Sequence, residues 1–398
     1  MATEQWSNEF LNAMRQVGDP LGDALVEETF TTQGMEGLKR LNKFLQNTND
    51  WPPPDDLAPG VRKFFNAAVH YPPWVDMKQI LQADLLFFHH PLQTLLVTFL
   101  RSFAQVFANA NAARVFYQAD IFNPNTLERF IIEAAQLIFD VVLPGSLRVK
   151  PEKGKGVIAV QKLRLHHSLI RFYLLKSPSV EPWNSAAWGV PINQEDMTFG
   201  VLAFALWNLS GFEKLRLYLT AEEQEATLML WKVIGFLLGQ REDLQPANLA
   251  EAERLFALIC ERQIRPSDQG TSLVRQLLNV IKGFLPWILR GLPVVVMRFL
   301  MDPFFVVLLR VPRAWSLAAL LIKLLRPAAH EITPALAHRL VLGLQAKRKD
   351  RDGNPLAFRV PEPVAQRLFA PAITSDEARQ EPPASGRTRP AWDGGKVG

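Results

Sequence analysis

The chain has 398 residues, of which 48% are hydrophobic and 21% are charged, a globular balance that excludes a largely disordered protein. The formal net charge is +5, but basic residues are spread along the chain and nearly matched by acids, so no nucleic-acid partner is expected. A single cysteine, Cys260, can form neither an intramolecular disulfide nor a thiolate metal cluster. Residues 1–9 lack the basic-then-apolar pattern of an export signal, and a cytoplasmic location is therefore expected.

Apolar residues recur mostly at three- and four-residue spacing, which predicts an all-α fold. Thr220 to Glu223 and Asn248 to Glu251 have the spacing of capping boxes at helix starts. Proline-rich segments between these patterns indicate connectors between helices. The helices are predicted near 22–47, 78–92, 98–118, 125–141, 157–176, 193–209, 220–239 and 247–264, with more to about 347.

Residues 275–326 are apolar but carry eight basic residues against one acid, Asp302. The charges keep every uncharged run well short of the ~18 residues that a membrane-spanning helix needs. The composition suits contact with an anionic membrane, peripheral to its inner face. Core helices whose basic side chains reach the surface are an equally good interpretation. The basic residues are Arg275, Lys282, Arg290, Arg298, Arg310, Arg313, Lys323 and Arg326.

Common catalytic motifs are absent from the sequence: it has no GxGxxG, Walker loop, GxSxG elbow or HExxH helix. With seven histidines and one cysteine, a metal would be held by histidine or carboxylate ligands, or within a cofactor that needs one axial histidine.

The helix predicted over 157–176 carries the candidate for that histidine, His167. Leu163, Ile170 and Leu174 form an apolar stripe beside it, and Arg164 and Arg171 flank the same side. An imidazole in an apolar slot between two guanidiniums suits an anionic, apolar cofactor. Two alternatives remain: His167 as a hydrogen-bonded core residue with the arginines paired to acids, and His166 as the ligand, which periodicity does not eliminate.

The motif Arg164-Leu-His-His167-Ser-Leu-Ile-Arg171 resembles the Arg-x-x-His-x-x-x-Arg haem-ligand helix of latex-clearing proteins and their MpaB-like relatives. The run Pro191-Ile-Asn-Gln-Glu-Asp196 and the segment Pro72-Pro-Trp-Val-Asp76 also follow this family's order. The resemblance covers roughly residues 70 to 265.

The resemblance implies a globin-like helical core that holds haem b and favours His167 as its ligand; from their spacing beside His167, Arg164 and Arg171 are expected to hold the propionates. It also implies dioxygen as a substrate and oxidation of a lipophilic, unsaturated or isoprenoid-like compound. We expect four parts: an N-terminal helical extension (1–70), the haem-binding core (71–265), the apolar and basic C-terminal helices (266–348), and an extended, disordered tail (349–398).

The residues predicted for the distal side, which is the side of the haem opposite His167, depart from the family pattern. In the family's Arg-x-x-Lys-Thr or Glu-Thr set, Glu133 takes the lysine or glutamate position and Ala134 replaces the threonine. Phe130 stands at the arginine position, unless Arg129 substitutes from one residue earlier. Glu133 and Arg129 are therefore the catalytic candidates, and the alternative is an ordinary glutamate paired with Arg129 or with another surface cation.

The acids after Asn193 have two interpretations: residues in the first turn of a capped helix, or Glu195 or Asp196 hydrogen-bonded to the arginines or the imidazole. For the whole chain, the runner-up function is a non-catalytic haem or lipid-binding helical protein peripheral to the membrane. The third hypothesis is a membrane-associated helical protein without a cofactor.

Overall fold

The computed structural model describes residues 6–46, 50–119, 124–176 and 182–313, with the backbone alone at 124–130 and 132. These residues form no strand, only one isolated antiparallel bridge between Asn109 and Ile264. The predicted all-α class is therefore confirmed. The helices predicted beyond 313 and the predicted tail lie outside the described residues, and the four-part division stays a prediction.

The described chain is built from sixteen α-helices and three short turns of other helical types. The first eight α-helices are α1 Asn8–Met14, α2 Pro20–Gln46, α3 Pro59–Asn66, α4 Met77–His89, α5 Pro91–Val97, α6 Ala104–Val106, α7 Ala110–Gln118 and α8 Pro124–Val142. The others are α9 Lys155–Lys176, α10 Ser185–Trp188, α11 Gln194–Lys214, α12 Ala221–Leu237, α13 Leu249–Gln263, α14 Asp268–Gly283, α15 Leu292–Leu300 and α16 Pro303–Leu308. A π-helical turn spans Thr98–Phe103, and 3₁₀ turns span Glu242–Leu244 and Trp287–Leu289.

One predicted helix, 98–118, is wrong as a continuous element. The chain passes from the π-helical turn into α6 and stops, and α7 starts anew at Asn109, whose side chain accepts from the backbone N–H groups of Asn111 and Ala112. A side-chain acceptor at this point satisfies the first amides of a new helix and so favours a break. The helix predicted over 78–92 also divides, at His90, because the following proline disfavours helical backbone in the residue before it.

The helix caps are largely as predicted. Thr220 and Glu223 form a complete capping box at the start of α12. Asn248 caps α13 by accepting from the backbone N–H of Glu251, but the Glu251 carboxylate accepts from Ala247 and not from Asn248. The second capping box is therefore a simple N-cap, and the start of the helix is unchanged.

Helix α11 lies at the centre of the main core. It packs against α12, α13, α5 and the π-helical turn. Its buried side chains lie on all sides, as expected for a helix that neighbouring helices surround. They include Met197, Phe199, Val201, Leu202, Ala203, Ala205, Trp207 and Phe212.

A second apolar cluster lies between α2, α3 and α9. Helix α2 bends at Gly34, where φ is +63°, a backbone conformation that glycine adopts without steric cost. Before this bend Glu27 pairs with Lys176, near the end of α9, and after it the ring of Phe44 lies 3.8 Å from the Lys162 amine, near the start of α9. The part of α2 before Gly34 and the part after it therefore run along α9 in opposite directions.

Two ion pairs fix the start of α2 against α9. Asp19 accepts two hydrogen bonds from Arg164, of 2.6 and 2.7 Å, and Asp23 accepts from Arg171 at 3.1 Å. Gly22 lies against the Ser168 hydroxyl, between these pairs, where a β-carbon would collide. We call this contact, made by Asp19, Gly22 and Asp23 on one side and Arg164, Ser168 and Arg171 on the other, the α2–α9 clasp.

We expect Gly22→Ala to lower the free energy of unfolding by about 1–3 kcal/mol, the usual cost of overpacking a close contact. The added methyl group would lie 2.6 Å from Asp19 Oδ2 as well as against Ser168. Urea unfolding followed by circular dichroism measures the change.

Gly200→Ala on α11 is the matched control, because a β-carbon there meets no atom within 4 Å. This variant is expected to keep its stability or to gain about 0.5–1 kcal/mol from helix propensity. Equal stability losses in the two variants would contradict the close approach of α2 to α9.

Candidate functional site

A cavity of about 1290 Å³ lies between α2, α8, α9, α11 and α12. Its walls are mainly apolar, with Phe103, Phe199 and Phe204 among the lining side chains. Cavities for drug-sized ligands typically measure ~300–1,000 Å³, so this cavity has room for a ligand larger than these.

His166 and His167 both line this cavity. Burial lowers the pKa of His167 to about 3, with smaller contributions from His166 and Arg171, and burial lowers the pKa of His166 to about 4. Both imidazoles are therefore neutral at physiological pH and keep a lone pair for a metal. The Nδ1 atom of His167 is buried and has no hydrogen-bond partner among the described residues, whereas most buried polar atoms have one.

The predicted neighbours of His167 divide into two groups. Leu163 and Ile170 line the cavity as the stripe requires, whereas Leu174 is buried outside its lining. Arg164 and Arg171 are not among the lining residues, and their guanidiniums are engaged in the α2–α9 clasp. Their assignment to propionates stays a prediction, and their observed contacts hold the helix that carries the histidines.

On the predicted distal side, Glu133 and Ala134 of α8 line the same cavity as His167. The structure thus brings together two elements that are 34 residues apart in the sequence. The side chains of Arg129 and Phe130 lie outside the described residues. The catalytic roles of Glu133 and Arg129 stay predictions.

The two acids after Asn193 have separate environments. Glu195 is fully buried and accepts from Arg262 at 2.7 Å and from Arg15 at 3.5 Å, away from the cavity. Asp196 lines the cavity, and its Oδ1 has no hydrogen-bond partner among the described side chains and backbone. Burial raises the pKa of Asp196 to about 7, and Arg15 offsets only part of this effect.

The π-helical turn contributes a wall that sequence patterns did not predict. Thr98, Phe99 and Phe103 line the cavity from it. The turn is held by Arg101, which is 2% exposed and donates to the Trp207 carbonyl and to the Asp302 carboxylate, at 3.0 and 3.2 Å. A lone arginine within the apolar run 95–107 was the available signal, since a buried arginine needs dedicated acceptors.

The cavity reaches the surface beside the bend of α2. Phe30, Met35 and Tyr173 belong to its lining and are 38%, 58% and 41% exposed. Sequence reasoning missed this opening because it lies between helices whose contact depends on the direction of α2 after Gly34.

Other candidates do not form sites. No group of three or more His, Cys, Asp or Glu residues within the described ranges could hold a metal ion. His89 ends α4 and His90 precedes α5, so both stand at helix ends. Cys260 packs against the main core, and burial raises the pKa of its thiol. None of the helices in the described part of the chain is long and apolar enough to cross a membrane.

Two comparisons with known proteins found similar proteins. A family model described as "ER-bound oxygenase mpaB/B'/Rubber oxygenase, catalytic domain" matches residues 89–350. A solved structure of latex clearing protein in the closed state is similar with a TM-score of 0.66 and 19% identity, over 88% of this chain and 95% of that chain. No curated protein matches. Because the family model matches more than half of the chain, the protein belongs to the mpaB/rubber oxygenase catalytic-domain family and is an oxygenase.

Proposed function

We propose that the protein is a haem-b-dependent oxygenase that acts with dioxygen on a lipophilic, unsaturated or isoprenoid-like compound, with His167 as the axial ligand. The observation that carries the proposal is a neutral His167 in the wall of a large apolar cavity, with a buried Nδ1 atom that has no hydrogen-bond partner among the described residues. Of the two histidines, His167 is favoured by the unpartnered nitrogen and by its register between Arg164 and Arg171.

The residues present fit a porphyrin by three criteria. The cavity volume exceeds that of common small-ligand sites, the walls are apolar, and a neutral imidazole is available as a nitrogen ligand. Leu163 and Ile170 would pack beside the ring plane, and the clasp would fix the rotation of α9. When bound, haem supplies the activation of dioxygen.

The lining residues also suit a lipophilic substrate. Apolar side chains run from the opening at Phe30 and Met35 to Trp231 and Ile234, so an apolar molecule that enters remains in contact with apolar surface. Glu133 is the side chain on α8 that we propose to hold or accept a proton during the reaction.

We expect His167→Ala to abolish or shift the Soret absorption band of the purified protein, because the iron would lose its axial nitrogen. Absorption spectra after reconstitution with hemin measure this. The matched control is His166→Ala, which removes the adjacent cavity histidine and is expected to leave the band in place. The ligand assignment is wrong if the two variants behave in the opposite way.

We expect Glu133→Gln to keep its haem spectrum and to slow dioxygen consumption by about 100-fold or more, in the range that general acid–base groups contribute. An oxygen electrode with a panel of polyenes and terpenoids measures the rate. Glu213→Gln, an exposed glutamate outside the cavity, serves as the control and is expected to consume dioxygen normally. A haem that binds neither carbon monoxide nor cyanide would instead favour the non-catalytic haem protein.

We further propose that residues 275–313 contact an anionic membrane from the cytoplasmic side. Trp287, Ile288, Phe304 and Val307 are at least 60% exposed. Exposed arginines lie close in sequence, and Asp302, the acid of this stretch, is paired with Arg101 and Lys214. Arg310 lies 3.9 Å from Asp268, but bases outnumber acids in this stretch, and exposed apolar side chains among them favour an anionic lipid surface. The arginines are Arg290, Arg298, Arg310 and Arg313.

We expect the double variant Trp287→Ser with Ile288→Ser to bind vesicles of anionic phospholipid about tenfold more weakly, because it removes two apolar side chains from the lipid contact. Vesicle co-sedimentation measures the partition. Tyr218→Ser, at a site 69% exposed, is the control for loss of a surface aromatic residue. Unchanged binding of the double variant would contradict this contact surface.

A further inference from the structure

Asp196 is a buried carboxyl with one oxygen held and one oxygen unpartnered. Its Oδ2 accepts from the Asn193 side-chain amide at 2.8 Å, and its backbone N–H donates to Asn193 Oδ1 at 3.0 Å. Its Oδ1 lies 3.9 Å from Arg15, whose guanidinium already donates to Glu195 and to the Trp188 carbonyl. The side chain is 8% exposed and lines the cavity, so this oxygen has a long ion pair with Arg15 but accepts no hydrogen bond from the described residues.

His167 has the complementary atom. Its Nδ1 is buried and unpartnered, which leaves Nε2 as the nitrogen for a metal. A neutral imidazole that ligates through Nε2 carries its proton on Nδ1, and this N–H then needs an acceptor. In histidine-ligated metal sites the acceptor is most often a carboxylate, a backbone carbonyl or a water.

Arg171 connects the two parts of the site. It lies one turn after His167 on α9, and its Nη1 donates to the carbonyls of Pro191 and Ile192, at 3.4 and 3.3 Å. These carbonyls lie two and three residues before α11, which begins at Gln194 and has Asp196 in its first turn. The positive charge of Arg171 also acts on both His167 and Asp196. The start of α11 is therefore held beside the turn of α9 that carries the imidazole.

We propose that Asp196 is a positioning residue that accepts a hydrogen bond from Nδ1–H of His167 once iron is bound at Nε2. The inference rests on the proposed function, because it assumes His167 as the axial ligand. The two atoms make no hydrogen bond in the structure, and both belong to side chains that line the same cavity. The bond fixes the tautomer and orientation of the ring and raises its basicity toward iron.

The test is Asp196→Asn in the full-length, haem-reconstituted protein. Asparagine keeps the size of the side chain and can still accept from Asn193, but it replaces an ionisable carboxyl group with a neutral amide. We expect the iron–histidine stretching band of the ferrous protein to move to lower frequency, the reduction potential to rise, and the haem dissociation constant to rise about 10- to 100-fold. Resonance Raman spectroscopy, potentiometry and hemin titration measure these three quantities.

Three comparison variants make the result specific. Asp84→Asn changes another buried carboxyl with an unpartnered Oδ1, outside the cavity lining, and should leave the three quantities unchanged. Asp196→Glu restores a carboxylate and should recover part of the stretching frequency. Glu133→Gln changes the carboxyl of α8 that also lines the cavity, and a shift in this variant instead of Asp196→Asn would overturn the assignment.

The outcomes separate this inference from the function on which it rests. A wild-type protein that takes up no haem, or whose haem is unaffected by His167→Ala, contradicts the proposed function. A wild-type protein that binds haem through His167, with unchanged stretching frequency and potential in Asp196→Asn, contradicts the role of Asp196 and leaves the oxygenase proposal standing.

Discussion

The α2–α9 clasp is the contact on which the candidate site depends. Arg164 lies three residues before His167 and Arg171 four residues after it, and each is paired with an acid at the start of α2. Ion pairs one turn before and one turn after a residue fix the position of its side chain both along the helix axis and around it. Breaking such a buried pair leaves an unpaired charge, which makes the arrangement sensitive to substitution.

Arg171 has a wider role than one ion pair. Its guanidinium contacts Asp23 of α2 and the carbonyls of Pro191 and Ile192 ahead of α11, so a single side chain joins three segments around the cavity. A planar guanidinium with five donors suits this task better than a lysine amine. The Arg-x-x-His-x-x-x-Arg spacing can thus be maintained for the placement of the imidazole, independently of any contact with propionates.

Three polar atoms without hydrogen-bond partners among the described residues belong to side chains that line the same cavity. They are His167 Nδ1, Asp196 Oδ1 and Trp231 Nε1. Each is costly to bury alone, and an apolar side chain at any of these positions would avoid the cost. A ligand with polar groups that binds in this cavity could supply partners for them.

The sequence by itself determined the all-α class, most helix positions, the caps at Thr220 and Asn193, and His167 beside an apolar stripe. These features follow from local periodicity and short-range hydrogen bonds, which residues a few positions apart encode. Only the tertiary structure decided that Arg164 pairs with Asp19, a residue 145 positions away. It also decided that Asp196 lines the cavity and that Glu195 does not. Adjacent residues on a helix face different neighbours, and the sequence does not specify which helices those neighbours belong to.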